Sequence, residues 1–163
     1  MMNERKKGVL VVGIGNEYRR DDGIGVVVAR HLKSMIESKV DVVEASDASS
    51  LIDMMELGYK KMVIVDAIHS NVGGVVYRFR KEEILKMGQY KQQQQSSTHA
   101  MDVAEAIKLA VELGVAKDMD VVMFGVEGND FGFGEGLSKE VMESVNRVVD
   151  EIIKEIGEHN NNA

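Results

Sequence analysis

Three side chains of the sequence are of types that could do chemistry together: Asp22, Asp66 and His99. Asp22 follows an apolar run, Gly8 to Val12, and a Gly-x-Gly step at Gly13 and Gly15. Asp66 closes a second apolar run, Lys61 to Asp66, and His99 opens a stretch of helical spacing behind a polar loop. Two carboxylates and an imidazole suit a divalent metal ion and leave positions for exogenous ligands. Each residue also has a plainer role open to it. Asp22 fits a helix N-cap or a dipole-matching acid, Asp66 a turn cap, and His99 a polar first-turn residue. Spacing alone does not establish that the three converge. His69 and Glu17 are rival ligands. His31 falls on the apolar side of the first predicted helix and reads as a core or interface residue.

Other chemistries fit less well. Gly13-Ile14-Gly15, with Glu44 at the end of the next strand, imitates a dinucleotide fingerprint, but Tyr18 stands where the third glycine belongs. Arg19-Arg20-Asp21-Asp22 then adds a loop where a pyrophosphate needs a close helix N-terminus. Ser46, Ser49, Ser50, Ser70, Ser96 and Ser97 offer hydroxyls, yet no Gly-x-Ser-x-Gly elbow exists and they read as caps and turn residues. Cysteine is absent, which excludes a thiolate nucleophile and a disulfide. For a hydrolase, that leaves water activated by a metal as the simplest nucleophile.

The elements that must position these groups alternate strand and helix. Strands are expected over Gly8–Val12, Val40–Glu44, Lys61–Asp66 and Asp120–Gly125, each a buried aliphatic run. Val75–Arg80 alternates apolar and polar residues and is expected at a sheet edge. Helices are expected over Asp22–Ser38, Ser50–Leu57 behind an Asp47 cap, His99–Leu113, and from Ser138 through Ile156, with a turn or two at Glu82–Met87. Gly88–Thr98, with its run of glutamines, and Gly125–Gly136 read as loops, the second carrying Phe131 and Phe133 either as exposed anchors or as rim packing. The tail from Glu158 is expected to be unstructured. The pattern predicts an α/β fold, a three-layer α/β/α sandwich whose mostly parallel sheet carries one antiparallel edge strand. If the sheet is parallel, Asp22, Asp66 and His99 all lie at its C-terminal edge, where open α/β proteins place their chemistry.

The 163 residues fit a single domain, 1–163, with a core over about 8–156. A net charge of -7 disfavours non-specific binding to nucleic acid. No apolar run approaches the roughly 20 residues of a membrane span, and the N-terminus lacks the pattern of a secretory signal. A cytoplasmic protein, monomeric and without membrane partners, is the expectation.

The long motif Gly13-Ile14-Gly15-Asn16 followed by Asp21-Asp22-Gly23-Ile24-Gly25 resembles the N-terminal signature of the hydrogenase maturation proteases. Val65-Asp66-Ala67 is similar to that family's second acid on a strand end, and His99 to its histidine at the head of a helix. The resemblance runs from about Gly8 to Ile156. It implies an endopeptidase that removes a C-terminal extension from the large-subunit precursor of a nickel-iron hydrogenase once nickel is in place. It also implies that Asp22, Asp66 and His99 bind the nickel carried by that precursor, with no organic cofactor, and that a carboxylate accepts the proton. The second acid of the Asp21-Asp22 pair is the one that matches. The chain departs from the family at Glu44-Ala45-Ser46-Asp47, where many members have an Asp-Gly-Gly-Thr-like turn tied to substrate choice. The alternative from another class is a binding module or chaperone that recognises a metal centre or hydrogenase subunit without cutting it.

Overall fold

The computed structural model describes residues 7–36, 40–90 and 99–161, and the side chains of 8–36, 40–87 and 103–157. In chain order the elements are β1 (Lys7–Ile14), α1 (Ile24–Met35), β2 (Val40–Ala45), α2 (Leu51–Met55), β3 (Tyr59–His69), β4 (Val76–Arg80), α3 (Lys81–Tyr90), α4 (His99–Glu112), β5 (Asp120–Gly128) and α5 (Lys139–Asn161). The sheet runs β2-β1-β3-β5-β4. All neighbours are parallel except β4, which pairs antiparallel with β5 at one edge. The three-layer α/β/α expectation is met, including the antiparallel edge strand.

Alternation along the central strands sorts the core. Val9, Val11, Val63, Val65, Val122 and Phe124 face Ile24, Val28 and Leu32 of α1 and Val145, Val148 and Ile152 of α5. Leu10, Val12, Ile14, Met62, Ile64, Val121 and Met123 face the layer of α2, α3 and α4, with Leu51, Ile84, Val103 and Ile107. Strands buried on both faces must be apolar at every position, hence the unbroken aliphatic runs in the sequence.

Two glycines let α1 lie directly on the sheet. A Cβ at Gly13 would sit 2.0 Å from the Gly25 carbonyl oxygen, and one at Gly25 would sit 2.6 Å from that of Val65. Gly13 therefore makes no turn: β1 runs through it to Ile14, and its missing side chain is the room the helix occupies.

The structure corrects several expectations. β3 ends at His69 rather than Asp66, because β5 continues to Gly128 and the pair stays hydrogen-bonded along that length. The Gly125–Gly136 stretch is thus strand for its first residues. The inward face of α1 is Ile24, Val28 and Leu32, and His31 is exposed instead of core. Helix α3 is longer than a turn or two and takes in Gly88 to Tyr90. Its start is held by Glu83, which accepts from the Arg80 N–H at 3.1 Å. Residues 91–98, with the whole Gln92–Gln95 run, lie outside the described residues. Helix α5 continues to Asn161, since extending a formed helix adds a hydrogen bond for each residue fixed.

Candidate active site

The site is built on the loop between β1 and α1. Beyond Ile14 the chain turns at Gly15, whose φ of 153° suits glycine. It reaches a 3-10 turn, Arg20–Gly23, through a left-handed Arg20 with φ 51°. That step costs a non-glycine residue about 1 kcal/mol. It is held by Arg20 donating from Nη1 to the Glu135 carbonyl at 2.9 Å and from Nε to Asp130 at 3.3 Å.

The two adjacent acids of the 3-10 turn have different partners. Asp21 is fully buried. Its carboxylate accepts from the N–H groups of Asn129 at 3.1 Å, Asp130 at 3.0 Å and Ser138 at 2.7 Å, and from the Ser138 hydroxyl at 2.9 Å. Those bonds clasp the glycine-rich segment between β5 and α5 to the first loop and occupy Asp21 structurally. Asp22, 6% exposed, accepts from the Asn16 N–H at 2.9 Å, closing its own loop.

Asp66 is fully buried in β3, and its Oδ1 accepts from the Ala67 N–H at 2.8 Å. Strand alternation puts it on the face of Ile64, towards the α2, α3 and α4 layer. It is level with Ile14, since Gly13 pairs with Val65. Helix α4 returns the chain to the start of β5, so its first residue, His99, is at the C-terminal edge of the parallel strands. The 3-10 turn also packs against β3. The backbones of Asp22, Asp66 and His99 thus share one sheet edge. The His99 side chain is outside the described set. Among the described residues, no group of three or more His, Cys, Asp or Glu side chains is disposed to hold a metal ion.

The rival groups are engaged elsewhere. His69, at an odd step from Asp66, belongs to the other face of the sheet and stacks on Phe131 with centroids 3.7 Å apart and planes 10° from parallel. Glu17 accepts from Arg30 at 2.7 and 3.1 Å. Glu44 accepts from Lys33 at 2.9 Å and Arg30 at 3.2 Å. The Arg30 hydrogen bonds hold the Glu17 carboxyl below its usual range, and that of Lys33 does the same for Glu44. Glu44, the acid a dinucleotide ribose would need, is thereby committed to cations. Ser49 donates to Asp47, the cap residue expected there, and Ser138 to Asp21, both in structural roles. A cleft of about 350 Å³ is lined by Gly15, Asn16, Tyr18, Val26, Glu44 and Ser46, and Asn16 is the residue whose N–H Asp22 accepts. The divergent Glu44-Ala45-Ser46 segment thus borders the candidate site. Of the two phenylalanines, Phe131 packs on the rim and Phe133 is exposed.

What sequence reasoning missed is the clasp made by Asp21 and Ser138 and the contact of Arg19 and Arg20 with the segment after β5. These partners are more than 100 residues apart in the chain, and no local spacing marks them.

Comparison with known proteins agrees with this architecture. A family model described as hydrogenase maturation protease matches residues 26–155, a span that includes Asp66 and His99 and begins just after Asp22. A Methanocaldococcus jannaschii protein, itself provisionally described as a hydrogenase maturation protease, is 30% identical over 159 residues, covering 93% of this chain and 98% of the relative. A Methanothermobacter thermautotrophicus protein named as the delta subunit of coenzyme F420 hydrogenase is 28% identical, covering 91% and 94%. The structure of a [NiFe] hydrogenase maturation protease, HybD from Thermococcus kodakarensis, superposes with a TM-score of 0.74 at 28% identity, covering 90% of this chain and 97% of that one. No helix among the described residues is long and apolar enough to cross a membrane. On the family match and the full-length similarity together, the chain belongs to the hydrogenase maturation protease family.

Proposed function

We propose that this protein is an endopeptidase that removes the C-terminal extension from the nickel-loaded large-subunit precursor of a nickel-iron hydrogenase, docking on the nickel the precursor carries. The observation that carries this is the pair of buried carboxylates, Asp22 and Asp66, each held by a backbone N–H at the sheet edge where α4 begins. A backbone N–H orients a carboxylate, and carboxylate oxygens are hard donors suited to a divalent metal. Asp22, Asp66 and His99 would take the metal. The substrate's nickel would polarise the scissile carbonyl or acidify a bound water. Water adds to the carbonyl carbon, the C–N bond breaks, and the leaving amine takes a proton that one of the carboxylates has accepted from the water. On this basis the enzyme cuts only precursors that already hold nickel. It would work in the cytoplasm as a monomer. The β4 edge carries the exposed Arg78 and Arg80, which discourages pairing through that edge.

One observation favours a second possibility: a similar protein bears the name of a hydrogenase subunit. A non-cleaving binder would form a stable complex with the precursor and leave its mass unchanged. The test is intact mass of a nickel-loaded precursor after incubation, with the nickel-free precursor and His99→Ala run alongside. Nickel-dependent loss of a C-terminal peptide, abolished in the variant, is the expected result. Nickel-dependent co-elution with no change in mass would replace the protease with the binder.

A further inference from the structure

Phe133 is 88% exposed, more than any other large hydrophobic side chain among the described residues. Yet the backbone around it is held. The Gly134 N–H donates to the Tyr18 carbonyl at 2.9 Å, and the Gly134 carbonyl accepts from the Arg20 N–H at 3.0 Å. The two bonds flank Arg19 as a short parallel bridge. The Asp21 carboxylate fixes the same segment at both ends, at Asn129 and Asp130 and at Ser138. The Arg19 guanidinium lies 4.5 Å over the Phe133 ring, and its Nε donates to the Phe131 carbonyl at 3.0 Å. Arg19 is also tied to the site, because its carbonyl accepts from the Asp22 N–H at 3.1 Å. A single exposed apolar residue needs no explanation. A phenyl ring fixed in water by a hydrogen-bonded frame, under an oriented guanidinium and one peptide bond network away from Asp22, is preorganised for contact.

We infer that Phe133 and Arg19 form the anchor by which the precursor polypeptide is held beside the scissile bond. The ring takes an apolar side chain of the substrate. The guanidinium, already flat on the ring, donates to a backbone carbonyl or carboxylate oxygen of the same segment. Aromatic and arginine side chains are the residue types that carry most of the energy in such contacts. Tyr18, whose carbonyl accepts from the Gly134 N–H, also lines the cleft of about 350 Å³, so the anchor and the cleft share that residue. The inference rests on the proposed function, since it takes the occupant to be that enzyme's substrate.

The test is steady-state cleavage and direct binding of the nickel-loaded large-subunit precursor from the same organism by wild type, Phe133→Ser, Phe133→Leu and Arg19→Ala, with thermal melts of each. None of these side chains packs in the core, so melting temperatures should hold. The expected result is a KM raised about tenfold by Phe133→Ser and Arg19→Ala with kcat kept, and recovery in Phe133→Leu. Unchanged KM and affinity in both variants, with wild-type cleavage intact, would overturn the anchor and leave the protease standing. Binding without cleavage, weakened by Phe133→Ser, would keep the anchor and overturn the protease. A wild type that neither binds nor cuts would overturn both.

Discussion

Opposite ends of the sheet bury carboxylates in different ways. At the N-terminal end of the strands, Glu155 meets Lys61 at 2.8 Å and also accepts from Arg78, while Lys61 reaches Asp120 at 3.2 Å. The side chains of Lys61 and Glu155 are each 6% exposed. Burial pushes the Glu155 carboxyl up, but the hydrogen bonds from Arg78 and Lys61 outweigh it and leave it below its ordinary 4.5. Burial pulls the Lys61 ammonium down, and Glu155 and Asp120 more than restore it. At the C-terminal end, Asp22 and Asp66 are held by backbone N–H groups. A cation-paired carboxylate is already neutralised and ties α5 to β3 and β4. At the other end the amides orient the two carboxylates at the edge where the proposed chemistry lies. Asp21, beside Asp22 in the same 3-10 turn, shows a third use, with four donors joining the first loop to the segment before α5.

The largest effect should come from removing charge at the C-terminal edge. Asp22→Asn keeps an acceptor for the Asn16 N–H and is expected to lower precursor cleavage at least about 100-fold in a mass-spectrometric time course, with the melting temperature nearly unchanged. A full rate in this variant would remove the distinction between the two ends. Next in size, Glu155→Ala removes the buried partner of Lys61, leaving it only the exposed Asp120, and should cost about 3 kcal/mol in urea unfolding, while the folded fraction still cleaves. Lys61→Met with Glu155→Met should recover most of that loss, because the cost lies in a buried ammonium that has lost its buried counter-charge. The smallest effect is in acid. A carboxyl whose folded value is depressed contributes stability that is present above 4.5 and is lost as pH falls through its folded value. Wild type should therefore lose stability below pH 4.5 more steeply than Glu155→Gln, read as melting temperature against pH.

Much of this molecule is legible in its sequence. The aliphatic runs of β1, β3 and β5 announce a doubly covered sheet, and the alternation of Val75 to Arg80 announces its edge. The glycines at 13, 15 and 25 are legible as special, though not for the reason a local reading supplies. Gly13 looks like a turn residue, and only the approach of α1 shows that it is a packing residue. His31 misleads because helical spacing defines a stripe without its width, and the sheet covers only the part centred on Ile24, Val28 and Leu32. The end of β3 is hidden because a strand stops where its partner stops, and that partner is β5, far along the chain.

Local sequence determined the donor types at the site, the order of the elements that carry them, and the spacing of the Gly13 to Gly25 motif. These follow from side-chain chemistry and from periods of two and 3.6 residues, which act over a few positions. Only the tertiary structure decided that Asp21 clasps the distant segment before α5 while Asp22 closes its own loop at Asn16, that His69 lies across the sheet from Asp66, and that Phe133 is pinned under Arg19. Those assignments depend on which distant backbone amides and rings come within a few ångströms of each other. That proximity is fixed by strand order and helix packing, which no local pattern encodes.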